Sequence, residues 1–222
     1  HKFRELSRLV SFFEKFIRKA AGMGSASSLP DPDFYEHAHD FCDVIIVGSG
    51  PSGIAAAIEA AEKKLDVILV EQDSLIGGDQ LSENEFDSSH IENQIKNLGI
   101  KVMTRTTAFG LYDNCVVGLL ERVTDHLSLP DRTLPRQRFW TIRAKHIIVG
   151  AGAIERHIAF NNNDIPGVMT VNASKHYLNR YGVLTGKKIA ITTNNDSVYE
   201  TAELLSEAGA NVIVLDSRTN FE

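Results

Sequence analysis

Residues Asp43 to Glu71 read DVIIVGSGPSGIAAAIEAAEKKLDVILVE, and the order of residue types in this stretch decides the fold. The unbroken apolar run Val44-Ile45-Ile46-Val47 is the pattern of a short strand buried on both faces of a parallel sheet. Gly48, Gly50 and Gly53 follow as G-x-G-x-x-G. Ile54, Ala57, Ile58 and Ala61 then recur at three- and four-residue spacing, which predicts a helix starting directly at the glycines. The chemistry needs this order, because a pyrophosphate must reach bare backbone N–H groups at the positive end of a helix. Gly48 allows the tight turn, Gly50 removes the Cβ that would collide with phosphate, and Gly53 lets the helix pack closely on its strand. Pro51 suits the first helical turn, where a missing N–H costs little, and Ser52 completes the loop. A second apolar run, Asp66 to Val70, predicts the next parallel strand. It ends in Glu71, about twenty residues past the glycines, where a carboxylate would accept hydrogen bonds from an adenosine ribose. The same acid disfavours a 2′-phosphate, so the stretch points to NAD or FAD and away from NADP. A packing turn alone would account for the glycines, but not for strand, helix, strand and terminal acid in register.

Around this centre the composition sets limits. A chain of 222 residues with 43% hydrophobic content can bury a real core. A net charge of −6 offers no basic footprint for nucleic acid or an anionic membrane surface, so neither is expected as a partner. The two cysteines, Cys42 and Cys115, form no C-x-x-C pair, which argues against a disulfide framework, a zinc site or a thioredoxin-reductase type of chemistry and fits a reducing, cytoplasmic compartment. No apolar run approaches the roughly twenty residues that span a bilayer. The chain lacks an initiating methionine and its last strand-like run, Val212 to Leu215, is followed only by a short tail, so a fragment of a longer protein is expected.

Taken in order, residues 3–21 have the spacing of an amphipathic helix with a basic polar face interrupted by Glu5 and Glu14, more suited to packing on protein than on a membrane. Residues 22–41 are rich in Gly, Ser and Pro and read as a linker, with His37 and His39 as surface histidines. Past Glu71, Gly77-Gly78 forms a loop flexible enough to pass close to a cofactor. Ser89-x-x-Glu92 reads as a capping box, Gly99 as a helix stop, and Ile100 to Arg105 as a third strand. Between Ala108 and Ile148 the pattern alternates, with Cys115 to Val123 and Arg138 to Ile142 joined by LSLPDRTLPRQ. This predicts a β-ribbon packed by Trp140. The run His146 to Val149 then ends in Gly150-Ala151-Gly152, small residues that would let backbone approach a ligand at the carboxyl end of a strand. Gly186 to Asp216 repeats strand, helix, strand without the glycines. Thr193-Asn194-Asn195-Asp196-Ser197 stands at the phosphate position, which predicts a duplicated dinucleotide fold that has lost its nucleotide. Glu155, Arg156 and His157 read as a structural ion-pair cluster.

The segments EKFIRKAAGMGSASSLPDPDFYEHAHDFCDVIIVGSGPSG from Glu14, GAGAIERHIAFNNNDIPGVMTVNASKHYLNRYGV from Gly150 and TTNNDSVYETAELL from Thr192 together resemble the alpha subunits of heterotetrameric sarcosine oxidases. The resemblance covers nearly the whole chain and rests most on Glu155 to Met169 and on the glycine-free loop. It implies a Rossmann-like α/β fold of the two-dinucleotide-binding-domain flavoprotein type with a β-ribbon insertion. Expected domains are residues 1–41 as helix and linker, 42–160 as the dinucleotide-binding domain and 161–222 as the start of a second, incomplete one. It further implies oxidative demethylation of sarcosine to glycine, with formaldehyde or methylene-tetrahydrofolate and hydrogen peroxide as the other products. In that family the alpha fold holds NAD, the beta subunit holds FAD and oxidises the amine, and FMN lies near their interface. The implied partners are beta, gamma and delta subunits, an amine substrate and tetrahydrofolate. The implied NAD contacts fall on Gly48, Gly50, Gly53, Glu71 and the Gly150, Ala151, Gly152 segment; Pro51, Ser52 and Gly78 join them as candidate cofactor contacts from the loops themselves, and no motif singles out a catalytic residue or a metal ligand. Relatives more often carry alanine-threonine-glycine where Gly150-Ala151-Gly152 stands. An FAD-binding subunit of a related amino-acid or opine dehydrogenase, and a purely structural NAD module, remain open alternatives.

Overall fold

The computed structural model describes residues 13–14, 16–22, 24, 28–83 and 88–218. His1–Phe34 and Tyr35–Glu222 are two separate units. In the first, residues 16–20 are helical and Arg18 Nη1 lies 3.4 Å from Glu14 Oε1; the rest of the helix expected over residues 3–21 falls outside the described residues.

The second unit opens with β1 (Tyr35–Val47), followed by α1 (Pro51–Glu62), β2 (Val67–Val70), a 3-10 turn (Gly78–Ser82), α2 (Ser88–Asn97) and β3 (Lys101–Met103). An antiparallel ribbon comes next: β4 (Thr106–Tyr112), β5 (Val116–Arg122) and β6 (Gln137–Val149). The six strands lie in the order β3-β2-β1-β6-β5-β4, with β1 parallel to both β2 and β6. The predicted α/β architecture and its ribbon are therefore present. β2 is buried at all four positions, and its side chains alternate between two cores. Val67 and Leu69 join Val44, Ile46, Ala57, Ala60 and Ile95 on the helical side. Ile68 and Val70 join Ile45, Val117, Leu119 and Ile142 on the ribbon side. Period-two alternation thus covers both faces of the parallel strands. Trp140 packs on the ribbon-side core while its Nε1–H donates to Glu121 Oε2 at 2.7 Å, as its role in packing the ribbon requires.

Two local expectations change. The linker expected through residue 41 stops at Phe34, because Tyr35–Phe41 pair with Gln137–Arg143 along the ribbon. The helix expected to open at Ser89 starts one residue earlier, at Ser88. Gly99 does end that helix, with φ +71 and Ile100 N–H reaching back to Ile95 O at 3.2 Å.

Cys42 is fully enclosed in the ribbon-side core, and burial, reinforced by the nearby carboxylates of Asp66, Asp40 and Asp43, pushes its thiol up to about 12. Cys115 is exposed. Iodoacetamide on the folded protein at neutral to mildly alkaline pH is expected to modify Cys115 alone, with Cys42 reacting only after denaturant is added. Equal labelling of both in the native protein would contradict this packing.

The remaining elements are α3 (Val171–Tyr181), β7 (Lys188–Thr193), α4 (Tyr199–Glu207) and β8 (Asn211–Asp216). β7 and β8 form a parallel pair, and Ile191, Val198, Ala202, Leu205 and Ala210 make its core. The second strand, helix, strand unit is therefore as the sequence repeat predicts. Among the described residues no helix is long and apolar enough to cross a membrane.

Candidate functional site

The loop between β1 and α1 is built by interlocking backbone. Gly48 N–H donates to Val70 O at 2.8 Å, tying the loop to β2. Gly48 has φ +99, and a Cβ there would lie 2.4 Å from Gly150 O. A Cβ on Gly53 would lie 1.9 Å from Gly48 O, and one on Gly150 would lie 3.3 Å from both Gly53 N and Ser52 Oγ. Gly48 and Gly53 are thus required by packing alone, whereas a side chain at Gly150 would need its neighbours to give by only a few tenths of an ångström.

Gly50 is different. Its φ of −68° and ψ of −178° suit any residue, and a Cβ on it would meet nothing within 4 Å. Steric packing gives no reason for a glycine there. The open space lies at the N-terminus of α1, which Gly50 caps without a side-chain hydrogen bond, leaving the helix start to an external acceptor. Gly78, at φ +57, closes the other side, where a Cβ would sit 2.9 Å from Gly50 Cα. The residues present therefore fit a phosphate group held against backbone N–H groups.

Glu71 is 8% exposed at the end of β2. Its Oε2 accepts from Ser49 N–H at 2.9 Å and from the Ser49 hydroxyl at 2.6 Å, and its Oε1 accepts from Asp73 N–H at 2.8 Å. A carboxylate offers about four acceptor directions. One on Oε1 is left for a ribose hydroxyl. Ser49, which the sequence marks only as compatible with the turn, is fully buried and also accepts from Gly77 N–H at 3.3 Å, joining Glu71 to the Gly77-Gly78 loop. The available signal was a hydroxyl at the second position of the glycine motif, where an alanine would serve the turn equally well.

Asp73, two residues on, takes a two-pronged ion pair from Arg180 at 2.6 and 2.9 Å, and that guanidinium holds its carboxyl down at about 2. A depressed carboxyl stabilises the fold above its unfolded value, and this contribution is lost as pH falls from about 4 towards 2. For a partly exposed pair it is of the order of 1 kcal/mol. The stability difference between wild type and Asp73→Asn, measured by urea unfolding, is expected to be present at pH 7 and to vanish near pH 2.

Of the other predicted positions, Pro51 and Ser52 are exposed in the first turn of α1, Ala151 Cα lies 3.0 Å from the Cβ position of Gly48, and Gly152 faces open space. The expected ion-pair cluster is corrected: Glu155 accepts instead from Val171 and Asn172 N–H, at 3.3 and 2.8 Å, holding the start of α3. His37 and His39 are exposed on β1.

The second loop has the opposite character. Asn195 Oδ1 accepts from Ser197 N–H at 3.0 Å and from the Ser197 hydroxyl at 2.6 Å, placing the chain's own acceptor where a phosphate would bind. Asp216, at the carboxyl end of β8, is engaged by Arg218 and by the Tyr199 hydroxyl, and the guanidinium holds its carboxyl well below the usual range. A cavity of about 760 Å³ opens here, lined in part by Arg156, Phe160, Thr193, Asn195 and Ser197, and the Gly48–Gly53 loop does not reach it.

With this geometry in view, the sequence profile of the FAD dependent oxidoreductase family matches residues 43–161, from the start of the glycine loop through the Gly150 segment. The chain belongs to the FAD-dependent oxidoreductases. Within that family it is homologous to alpha subunits of sarcosine oxidase. It is 42% identical over 216 residues to the one from Rhizobium meliloti (strain 1021), and 38% identical over 212 residues to the one from Corynebacterium sp. (strain U-96). These alignments take in 93% and 90% of this chain and 22% of each relative. Among solved structures, L-proline dehydrogenase from P. horikoshii superposes with a TM-score of 0.65 at 27% identity, over 84% of this chain and 38% of that one. The α/β architecture read from Asp43–Glu71 and the resemblance to sarcosine oxidase alpha subunits both agree with these relationships.

Proposed function

We propose that this chain is the dinucleotide-binding portion of an alpha subunit of a sarcosine-oxidase-type enzyme. Gly48, Gly50, Gly53, Gly78 and Glu71, with Gly150 to Gly152 alongside, hold the ADP half of the dinucleotide. The observation that carries the reading is Gly50: the fold leaves its Cβ position open, and a bound phosphate explains the missing side chain. The chain's own residues bind and orient. Backbone N–H groups at the start of α1 receive the pyrophosphate, and Glu71 Oε1 receives a ribose hydroxyl.

The dinucleotide in this reading is NAD, which rests on the resemblance to the sarcosine oxidase alpha subunits. FAD is a second reading, favoured by the family profile over residues 43–161. Both present the same ADP half to the loop. In the whole enzyme sarcosine would lose two electrons at its N-methyl group, water would release formaldehyde and glycine, and oxygen would leave as hydrogen peroxide. That chemistry belongs to the flavins of the assembly, FAD on a beta subunit and FMN near its interface, with gamma and delta subunits completing a cytoplasmic heterotetramer. Methylene-tetrahydrofolate replaces formaldehyde where tetrahydrofolate accepts the carbon. No residue of this chain is assigned as base or nucleophile.

Denaturing the purified protein and identifying the released nucleotide by mass spectrometry, together with the native visible spectrum, tests the assignment. NAD without flavin supports the first reading, and a yellow protein releasing FAD supports the second. Release of neither, with no binding of either on addition, would contradict both.

A further inference from the structure

Helix α3 packs Val171 and Leu178 on the core of the second strand, helix, strand repeat, with Ser174 and Lys175 reaching Thr185 and Glu200 there, yet its remaining polar contacts run to the two segments that frame the Gly48–Gly53 loop. At its start, Val171 and Asn172 N–H donate to Glu155, which follows the Gly150 segment. Towards its end, Arg180 grips Asp73 through both terminal nitrogens, and Asn179 Nδ2 donates to Ser82 O. Lys175 Nζ lies 2.7 Å from Glu83 Oε1. The gripped segment carries Gly78 against Gly50. It also begins with the Asp73 N–H that donates to Glu71 Oε1, the carboxylate oxygen with capacity to spare.

We infer that Arg180 is a positioning residue of the dinucleotide site. By clamping Asp73 it fixes the N–H that aims the Glu71 carboxylate at the ribose, and together with Asn179 it holds the Asp73–Ser82 segment that carries Gly78. The inference rests on the reading of Gly48–Glu71 as an ADP site. A guanidinium suits this task because its rigid fork sets the direction of the partner carboxylate as well as neutralising it. An ammonium would keep the charge and lose the direction. The helix that precedes the second strand, helix, strand repeat thus braces the cofactor loop of the first repeat, while the loop of the second is closed by Asn195.

Calorimetric titration of the nucleotide-stripped protein with ADP and with 2′-deoxy-ADP tests this. Wild type is expected to prefer ADP by roughly 10-fold, the worth of one hydroxyl donating to a carboxylate. Arg180→Met should bind ADP about 10-fold more weakly while changing little towards 2′-deoxy-ADP, so that the preference collapses. Arg180→Lys should restore part of it. Asp73→Asn, which keeps the backbone N–H and the side-chain shape, should behave as Arg180→Met does, and it carries the test if the methionine variant does not fold. Equal weakening towards both nucleotides, or an intact preference in the folded variants, overturns the positioning role. A wild-type protein that binds neither nucleotide overturns the ADP-site reading itself and this inference with it.

Discussion

Gly53→Ala is expected to destabilise the protein by about 3 kcal/mol, although alanine is the better helix former by about 1 kcal/mol. The added Cβ would lie 1.9 Å from the Gly48 carbonyl oxygen and 3.0 Å from its carbon, and both are backbone. Neither can turn aside as a side-chain tip can. Gly48 cannot retreat, because it is already packed against Gly150, so the helix start or the loop must move and the buried contacts of Ile54 and Ala57 move with it. For a chain of this size the melting temperature should fall by roughly 6 to 12 °C. Thermal unfolding of the two proteins side by side measures it, and an unchanged midpoint would show that the loop packs differently.

Gly50→Ala should do the reverse. The residue already has a conformation that alanine adopts freely, and the new methyl meets no protein atom, so the gain of about 0.4–1 kcal/mol from the stiffer unfolded chain is offset by alanine's poorer fit at a helix N-cap, and the nucleotide-free protein should stay within about 1 kcal/mol of wild type. Binding of an adenine dinucleotide should weaken by about 100-fold or more, equivalent to about 2.7 kcal/mol, because the methyl fills the space through which phosphate approaches the helix N–H groups. Taken together, the two alanines separate a glycine that the fold needs from one that the ligand needs. A Gly50→Ala protein that binds as well as wild type would remove the main support for the site.

The parts of this molecule that are local in sequence were legible there. Val44–Val47, the glycines and Val67–Val70 each carry their own pattern, and the strand, helix, strand order follows from reading them in turn. The ribbon was readable from alternation, and the closed second loop from Asn195 standing where a glycine would be needed. What escaped were interactions that join distant segments. Tyr35–Phe41 fall within the linker reading because residues 22–41 as a whole are rich in Gly, Ser and Pro and Tyr35–Phe41 carry no apolar run of their own. Their strand character comes from pairing with Gln137–Arg143, about a hundred residues on. Glu155 was read against its neighbours Arg156 and His157, whereas its partners are the first N–H groups of α3. Ser89 matched a capping box by spacing, and the helix begins one residue earlier, at Ser88. The grip of Arg180 on Asp73 spans 107 residues and has no signature in either segment alone.

The central claim is that the first loop takes the nucleotide and its glycine-free counterpart does not. Backbone amide chemical shifts of the labelled, nucleotide-free protein, followed as ADP is added, test it most directly. The account predicts the largest changes at Gly50, Ser52, Gly53, Glu71 and Gly78, with Asn194–Ser197 unmoved. Changes centred on Asn194–Ser197, or no saturable change at the first loop, would contradict it.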